Sequence, residues 1–374
     1  MTEQTTTPAS KRLASLDALR GFDMFFIMGG ASLIAAICAL WPESGFAQWL
    51  SSQMGHVEWE GLRHHDTIFP LFLFIAGIAF PFSLAKQIER GKTHSQIVKK
   101  VLFRGLMLVI LGMIYNGMLK LDFAHLRFPS VLARIGLAWM CGALIFMHTK
   151  TRTRIWITAV LLIGYYLIAG FVHAPDSDPS VSIWSVDGSF ICYVDRLLMP
   201  NHIYQPNYDP EGIMGIISAT GTALLGMFTG EWVKREDVSG TKKTLYMVFA
   251  GIVLLIIGLL WSLVYPVNKA LWSSTFVVLV ASYSVLIFAL FYWIIDVKGW
   301  KNWILFFTVI GMNSITIYVG QSFINFRYTA DKVFGGLVKL FPENIQPILS
   351  GAAFIAICWL FLYFLYKKKV FLKV

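Results

Sequence analysis

Charged side chains are scarce in this chain. Asp, Glu, Lys and Arg make up only 14% of its 374 residues, against about 25% in an ordinary soluble domain. A water-facing surface cannot be assembled from so few charges, which excludes a soluble enzyme and a disordered chain alike. Cysteine is equally thin: Cys38, Cys141, Cys192 and Cys358 are scattered, three of them inside apolar segments. No disulfide scaffold or cysteine metal framework follows, and a Cys38 to Cys192 bridge is the one pairing worth naming. The sequence also lacks an HExxH motif, a Gly-rich phosphate loop, a tandem repeat and any shift in composition that would mark a separate soluble domain. The N-terminal MTEQTTTPASKR is polar, and the first apolar segment carries Asp17, Arg20 and Asp23. It does not resemble a cleavable signal peptide, so the first helix is expected to stay.

What is present is apolar: 57% hydrophobic residues, 15% aromatic and a mean hydropathy of +0.65. The apolar residues gather into runs of about the 20 residues that span a bilayer as helix. Ten such runs are predicted, near 16–40, 66–85, 102–119, 129–147, 155–172, 212–233, 244–265, 272–294, 302–324 and 347–366. The expectation is an all-α, polytopic membrane protein of about ten transmembrane helices, forming one domain over residues 1–374. An even number of spans puts both termini on one side. The segments on that side, from Lys11 and Arg12 through Lys99 and Lys100 to Lys367 and Lys373, hold 20 of the basic residues, and the alternate loops hold 8. The positive-inside rule makes both termini cytoplasmic. The formal net charge of +10 then reads as an orientation signal, and nucleic acid is not an expected partner. The loops at 41–65 and 173–211 become external, and both are long and rich in Trp, His, Asp, Glu and Pro. In the sixth run, Gly226 and Gly230 are spaced to let a neighbouring helix approach closely.

Ionisable groups inside spans are costly and normally face a partner or a wet cavity. SLDALRGFDM places Asp17, Arg20 and Asp23 at three-residue steps along one helical face. Such a set either forms an internal Asp-Arg lock or uses Arg20 to hold an anionic ligand. GHVEWEGLRHHDTIFPLFLFIAG is the most polar stretch, with His56, Glu58, Glu60, His64, His65 and Asp66 at the external boundary. Zinc-type spacing is absent and no metal is expected. An imidazole oriented by a carboxylate is the simpler chemistry, since histidine takes up a proton near neutrality. Asp66 also suits a helix N-terminus, where a carboxylate stabilises exposed amides. Arg134 in RFPSVLARIG, Asp209 and Glu211 in NYDPEGIMG, and Asn313, Ser314 and Gln321 in GMNSITIYVGQS add polar groups. Their expected direction is a cavity open to the exterior; simple helix-tying is the alternative for Asn313 and Ser314.

On SLDALRG, HVEWEGLRHHDTIFPLFLFIAG, FPSVLARIG, NYDPEGIMG and GMNSITIYVGQ, the chain resembles the heparan-alpha-glucosaminide N-acetyltransferase family, and within it the bacterial NagX-type branch. The resemblance implies transfer of acetyl from cytosolic acetyl-CoA to the amine of glucosamine or a related amino sugar on the far side of a bacterial inner membrane. It places the family's active-site histidine on His56 and the aspartate before the next helix's Phe-Pro on Asp66. A homodimer is compatible with it.

The chemistry agrees with this assignment. An amino-sugar nitrogen must lose a proton before it attacks a thioester; His56 is the expected base, with Asp66 or Glu58 orienting its ring. A route through acetyl-His56 is the variant. Arg134 and Asn313 are candidate oxyanion donors or coenzyme contacts. Arg20 and Arg104, with Lys99 and Lys100, are candidates for the coenzyme's phosphates, although lysines near a membrane also serve anionic lipid. Asp209, Glu211 and Gln321 are candidates for the acceptor. The competing reading is an amino-sugar transporter, against which stands the lack of matching broken helices in two halves.

Overall fold

The computed structural model describes residues 13–372. Glu3, Lys11, Arg12 and Lys373, which enter the charge count, lie outside the described residues. In chain order the helices are α1 (Ala14–Phe25), α2 (Ala31–Cys38), α3 (Gly45–Gln53), α4 (His64–Glu89), α5 (His94–Tyr115), α6 (Val131–His148), α7 (Thr151–Phe171) and α8 (Phe190–Leu198). They continue with α9 (Gly215–Lys234), α10 (Gly240–Trp261), α11 (Ser274–Tyr292), α12 (Leu305–Met312), α13 (Ser314–Phe323), α14 (Phe326–Val338) and α15 (Gln346–Lys367). Wide turns at Phe26–Gly30 and Trp293–Val297 extend α1 into α2 and lengthen α11. At the first of these Gly29 takes φ 116°, a conformation glycine adopts without a Cβ penalty.

This is an all-helical polytopic membrane protein. Seven stretches among the described residues are long and apolar enough to cross a bilayer: Ala14–Cys38, α4, α6, α7, α10, Ser274–Val297 and α15. The other three predicted runs are also helical, and each falls short for a visible reason. The α5 helix carries Lys99, Lys100 and Arg104. Gly, Ser and Thr dilute α9. The ninth run breaks at Asn313 (φ −128°, ψ 31°) into α12 and α13.

Central and peripheral helices differ in how much they bury. In α11 67% of the spanning window is covered by protein, against 22% in α10 and 17% in α15. The uncovered faces of these two carry Phe249, Leu259, Leu260, Leu360 and Phe364, as expected of surface bathed in hydrocarbon. At the centre, α4 packs against α9 at near backbone contact. A Cβ on Gly226 would lie 2.3 Å from the Phe74 carbonyl oxygen, and one on Gly230 would lie 2.3 Å from that of Ile78. The small-residue spacing expected to admit a neighbour therefore admits α4. A similar crossing joins α1 to α12, where Gly21 and Gly311 face backbone atoms of Phe307 and Asp17. All four cysteines are free, so Cys38 and Cys192 are not bridged.

Candidate active site

The polar stretch before α4 folds back onto that helix's first turn. Asp66, the third residue of α4, accepts from the backbone N–H of Arg63 at 3.1 Å and of Val57 at 3.3 Å through Oδ2. Its other oxygen, Oδ1, meets His56 Nδ1 at 2.7 Å. Arg63 Nη1 donates to the His56 carbonyl at 2.9 Å. One buried carboxylate thus caps a helix and orients an imidazole, so the two roles expected of Asp66 coexist. With Nδ1 held by Asp66, Nε2 is the ring nitrogen left to meet a ligand, with Lys269 Nζ 3.5 Å away. Glu58 is exposed and lines the neighbouring cavity; Asp66 is the carboxylate bonded to the ring. His65 packs its ring 4.6 Å from that of His56. His64 turns inward, edge-on to Phe26 and 3.4 Å from the Tyr283 hydroxyl.

A cation that sequence reasoning did not single out completes the cluster. Lys269, between α10 and α11, brings Nζ to 2.9 Å from His56 Nδ1 and 3.3 Å from Asp66 Oδ1. Burial lowers its amine below the ordinary lysine range, while the Asp66 carboxylate opposes that shift. The supporting loop is fixed by Asn268, whose side-chain oxygen accepts from Leu271 N–H at 2.8 Å, and by Gly61 N–H donating to the Val267 carbonyl at 2.8 Å.

The NYDPEGIMG turn forms the facing wall. Arg127 donates to both oxygens of Asp209, at 2.8 and 2.6 Å, and to Glu211. Burial works against the Arg127 charge, but the two carboxylates outweigh it and hold the guanidinium above its ordinary value. Asp209 is buried and also accepts from the backbone of Tyr204 and Glu211. It builds the turn, and Glu211 is left facing the cavities. Behind the turn, Asp195 accepts from Ile213 N–H at 2.8 Å. Arg134, 2% exposed, donates to the Gly212 carbonyl at 2.9 Å and stacks on Trp272. A Cβ on Gly212 would strike Asp195 and one on Gly215 would strike Arg134, which accounts for both glycines of the motif.

The cavities form a series. A large one of about 500 Å³ and a smaller one of about 240 Å³ share His56, Phe69, Pro210 and Glu211. Trp59, Tyr208 and Lys269 line the smaller. The larger shares Ile27, Phe69 and Tyr318 with a narrow neck of about 20 Å³. The neck shares Phe72 and Ile315 with a cavity of about 180 Å³ that is lined by Arg20, Arg104, Asn313 and Ser314. His65, Phe69, Phe72 and Ala76, on one face of α4, line this route in turn.

Several candidates therefore sit elsewhere than the cavity at His56. Asn313 and Ser314 face the Arg20 end. The Asn313 amide donates to the Val370 carbonyl at 3.1 Å, so it is not placed to serve an oxyanion at His56. Arg134 lies behind the turn and lines none of these cavities, and neither does Gln321. Arg20 makes a 3.6 Å ion pair with Asp17, and Arg104 stacks 4.5 Å from Trp139. No group of three His, Cys, Asp or Glu that could hold a metal occurs among the described residues.

The chain is similar to two curated proteins named heparan-alpha-glucosaminide N-acetyltransferase. It is 28% identical to the one from Mus musculus over 379 aligned positions, covering 85% of this chain and 56% of that protein. It is 27% identical to the one from Homo sapiens over 423 positions, covering 98% of this chain and 62% of that protein. The chain thus spans about three fifths of the length of these relatives, and the similarity supports that family. No family model matches the chain.

Proposed function

We propose that this chain is a transmembrane N-acetyltransferase that moves acetyl from acetyl-CoA to the amine of glucosamine or a related amino sugar. The observation that carries the reading is the Asp66-held His56 ring on the wall shared by two cavities, the larger of which is separated by a narrow neck from a third cavity lined by Arg20 and Arg104. In this reading the coenzyme's phosphates bind at the arginine end and its thioester arm follows the α4 face to His56. The acceptor occupies the smaller cavity, against Trp59, Tyr208 and Glu211. Its size and aromatic walls suit one sugar ring, and the Glu211 carboxylate suits the amine.

His56 Nε2 removes the proton from the attacking nitrogen while the N–C bond forms. The C–S bond then breaks, and the leaving thiolate takes up a proton. Asp66 holds the ring in the orientation that leaves Nε2 basic. Lys269 is the cation beside the reacting carbonyl, replacing Arg134 and Asn313 as the source of charge for the oxyanion. An acetyl group carried transiently on Nε2 uses the same geometry. The excess of basic residues orients the arginine end and both termini to the cytoplasm of a bacterial inner membrane.

Purified protein given acetyl-CoA and a panel of amino sugars is expected to release free thiol, and His56→Ala to abolish release without loss of fold. Unmodified sugar carried into proteoliposomes without any coenzyme would instead favour the transporter. An acetylated protein trapped without acceptor would select the acyl-histidine route.

A further inference from the structure

Between the two ends of the route stands one carboxyl group that the chemistry above does not use. Asp23 lies in α1, is 2% exposed and lines the neck. Its companions there are almost entirely apolar: Met24, Ile27, Ile68, Phe72, Leu132 and Ile135. Its Oδ2 has no hydrogen-bond partner among the described residues. An ion pair does not explain it, because no salt bridge reaches this residue among the described ones, in contrast to Asp66 and Asp209. A buried polar oxygen without a partner is costly, and such groups are uncommon unless a bound molecule completes them.

The location narrows what that molecule is. The neck lies between the Arg20 cavity and the large cavity at His56 and shares lining residues with both. From His65 to Phe72 is seven residues of α4, which at 1.5 Å rise per residue is roughly 10 Å along the helix. A ligand that reaches from one cavity to the other passes Asp23 with its middle, and the carboxyl oxygen asks that middle for an N–H or O–H donor. The apolar walls ask for methylenes on either side. An extended chain of methylenes interrupted by secondary amides meets both demands. A neck of about 20 Å³ holds little more than one water, so the side chains of Phe69, Phe72 and Tyr318 must turn aside for such a chain to enter.

We propose that Asp23 is a donor-binding residue: its free carboxyl oxygen accepts a hydrogen bond from an amide N–H in the arm that links the coenzyme's nucleotide to its sulfur. This rests on the acyltransferase reading above. Asp23 contacts neither the thioester nor the acceptor, so its contribution is to hold the arm in register while His56 acts.

Equilibrium binding of coenzyme A, and separately of adenosine 3′,5′-bisphosphate, which lacks the arm, tests this on the full chain in detergent. Asp23→Ala is expected to weaken coenzyme A about five- to tenfold, the effect of one hydrogen bond, and to leave the bisphosphate unchanged, which also shows that the variant is folded. Asp23→Asn, which keeps an acceptor oxygen, is expected to bind coenzyme A within about twofold of the wild type. The proposal is overturned if Asp23→Ala binds coenzyme A as the wild type does, if it loses both ligands equally, or if Asp23→Asn is as weak as Asp23→Ala. A wild-type chain that binds neither ligand removes the acyltransferase reading and this proposal with it. Normal wild-type binding with an indifferent Asp23 removes the proposal alone.

Discussion

Lys269 and His56 are separated by 213 positions in the chain and by 2.9 Å in space. That separation explains why one was legible and the other was not. His56 stands in a run of ionisable residues at the mouth of an apolar segment, and its chemistry is readable from its neighbours. Lys269 is a lone basic residue in a short loop, where lysine usually marks orientation. Lys269→Met is expected to lower kcat on the order of 10²-fold, with Lys269→Arg recovering part of it. Since burial lowers the Lys269 amine, the wild-type rate is expected to fall on the alkaline side below the ~10.4 of a free lysine. A pH-rate profile of the wild type and the two variants checks both statements. Asp195 offers a separate test of stability. Burial raises its carboxyl to about 7, above the ~3.9 of an unfolded chain. The native state therefore keeps a proton that the unfolded state has lost. This contribution to stability is complete below about pH 4, falls as pH rises and is gone above about pH 7. Thermal melts in detergent between those limits are expected to show that decline, flattened in Asp195→Asn.

At the scale of elements, α4 organises the molecule. Its first turn builds the site, one face lines the cavities, and another meets α9 through Gly77, Gly226 and Gly230. Replacing Gly226 by leucine drives a side chain into the Phe74 carbonyl, and a loss of about 3 kcal/mol is expected. Gly164→Ala in α7 meets nothing within 4 Å and is expected to gain about 0.5 kcal/mol or more, as in an exposed helix interior. Unfolding in denaturant compares the two. The long helices were legible from their apolar runs, and a close helix crossing, though not its partner α4, from the Gly226 spacing; α3, α8 and α14 were not, because they lie outside those runs, α3 and α8 in segments read as loops. The direction of the ninth run was not. Asn313 and Ser314 look like part of one polar face with the outer motifs. The break between α12 and α13 instead turns them toward Arg20 and Arg104, because side-chain direction past a helix break is set by the packing around it.

For the whole molecule, the scarcity of charge decides the class, and the ionisable groups that line the cavities carry the proposed function. They divide into a histidine centre at one end of a cavity series and a pair of arginines at the other, joined by a neck with a single carboxyl. The account turns on transfer between those ends. Reconstituted in vesicles of known orientation, the protein is expected to acetylate glucosamine presented at the His56 face when acetyl-CoA is supplied at the Arg20 face, and to stop when both are supplied at the His56 face alone. Acetylation that ignores the side of the donor, or sugar that crosses unmodified with no donor present, would contradict it.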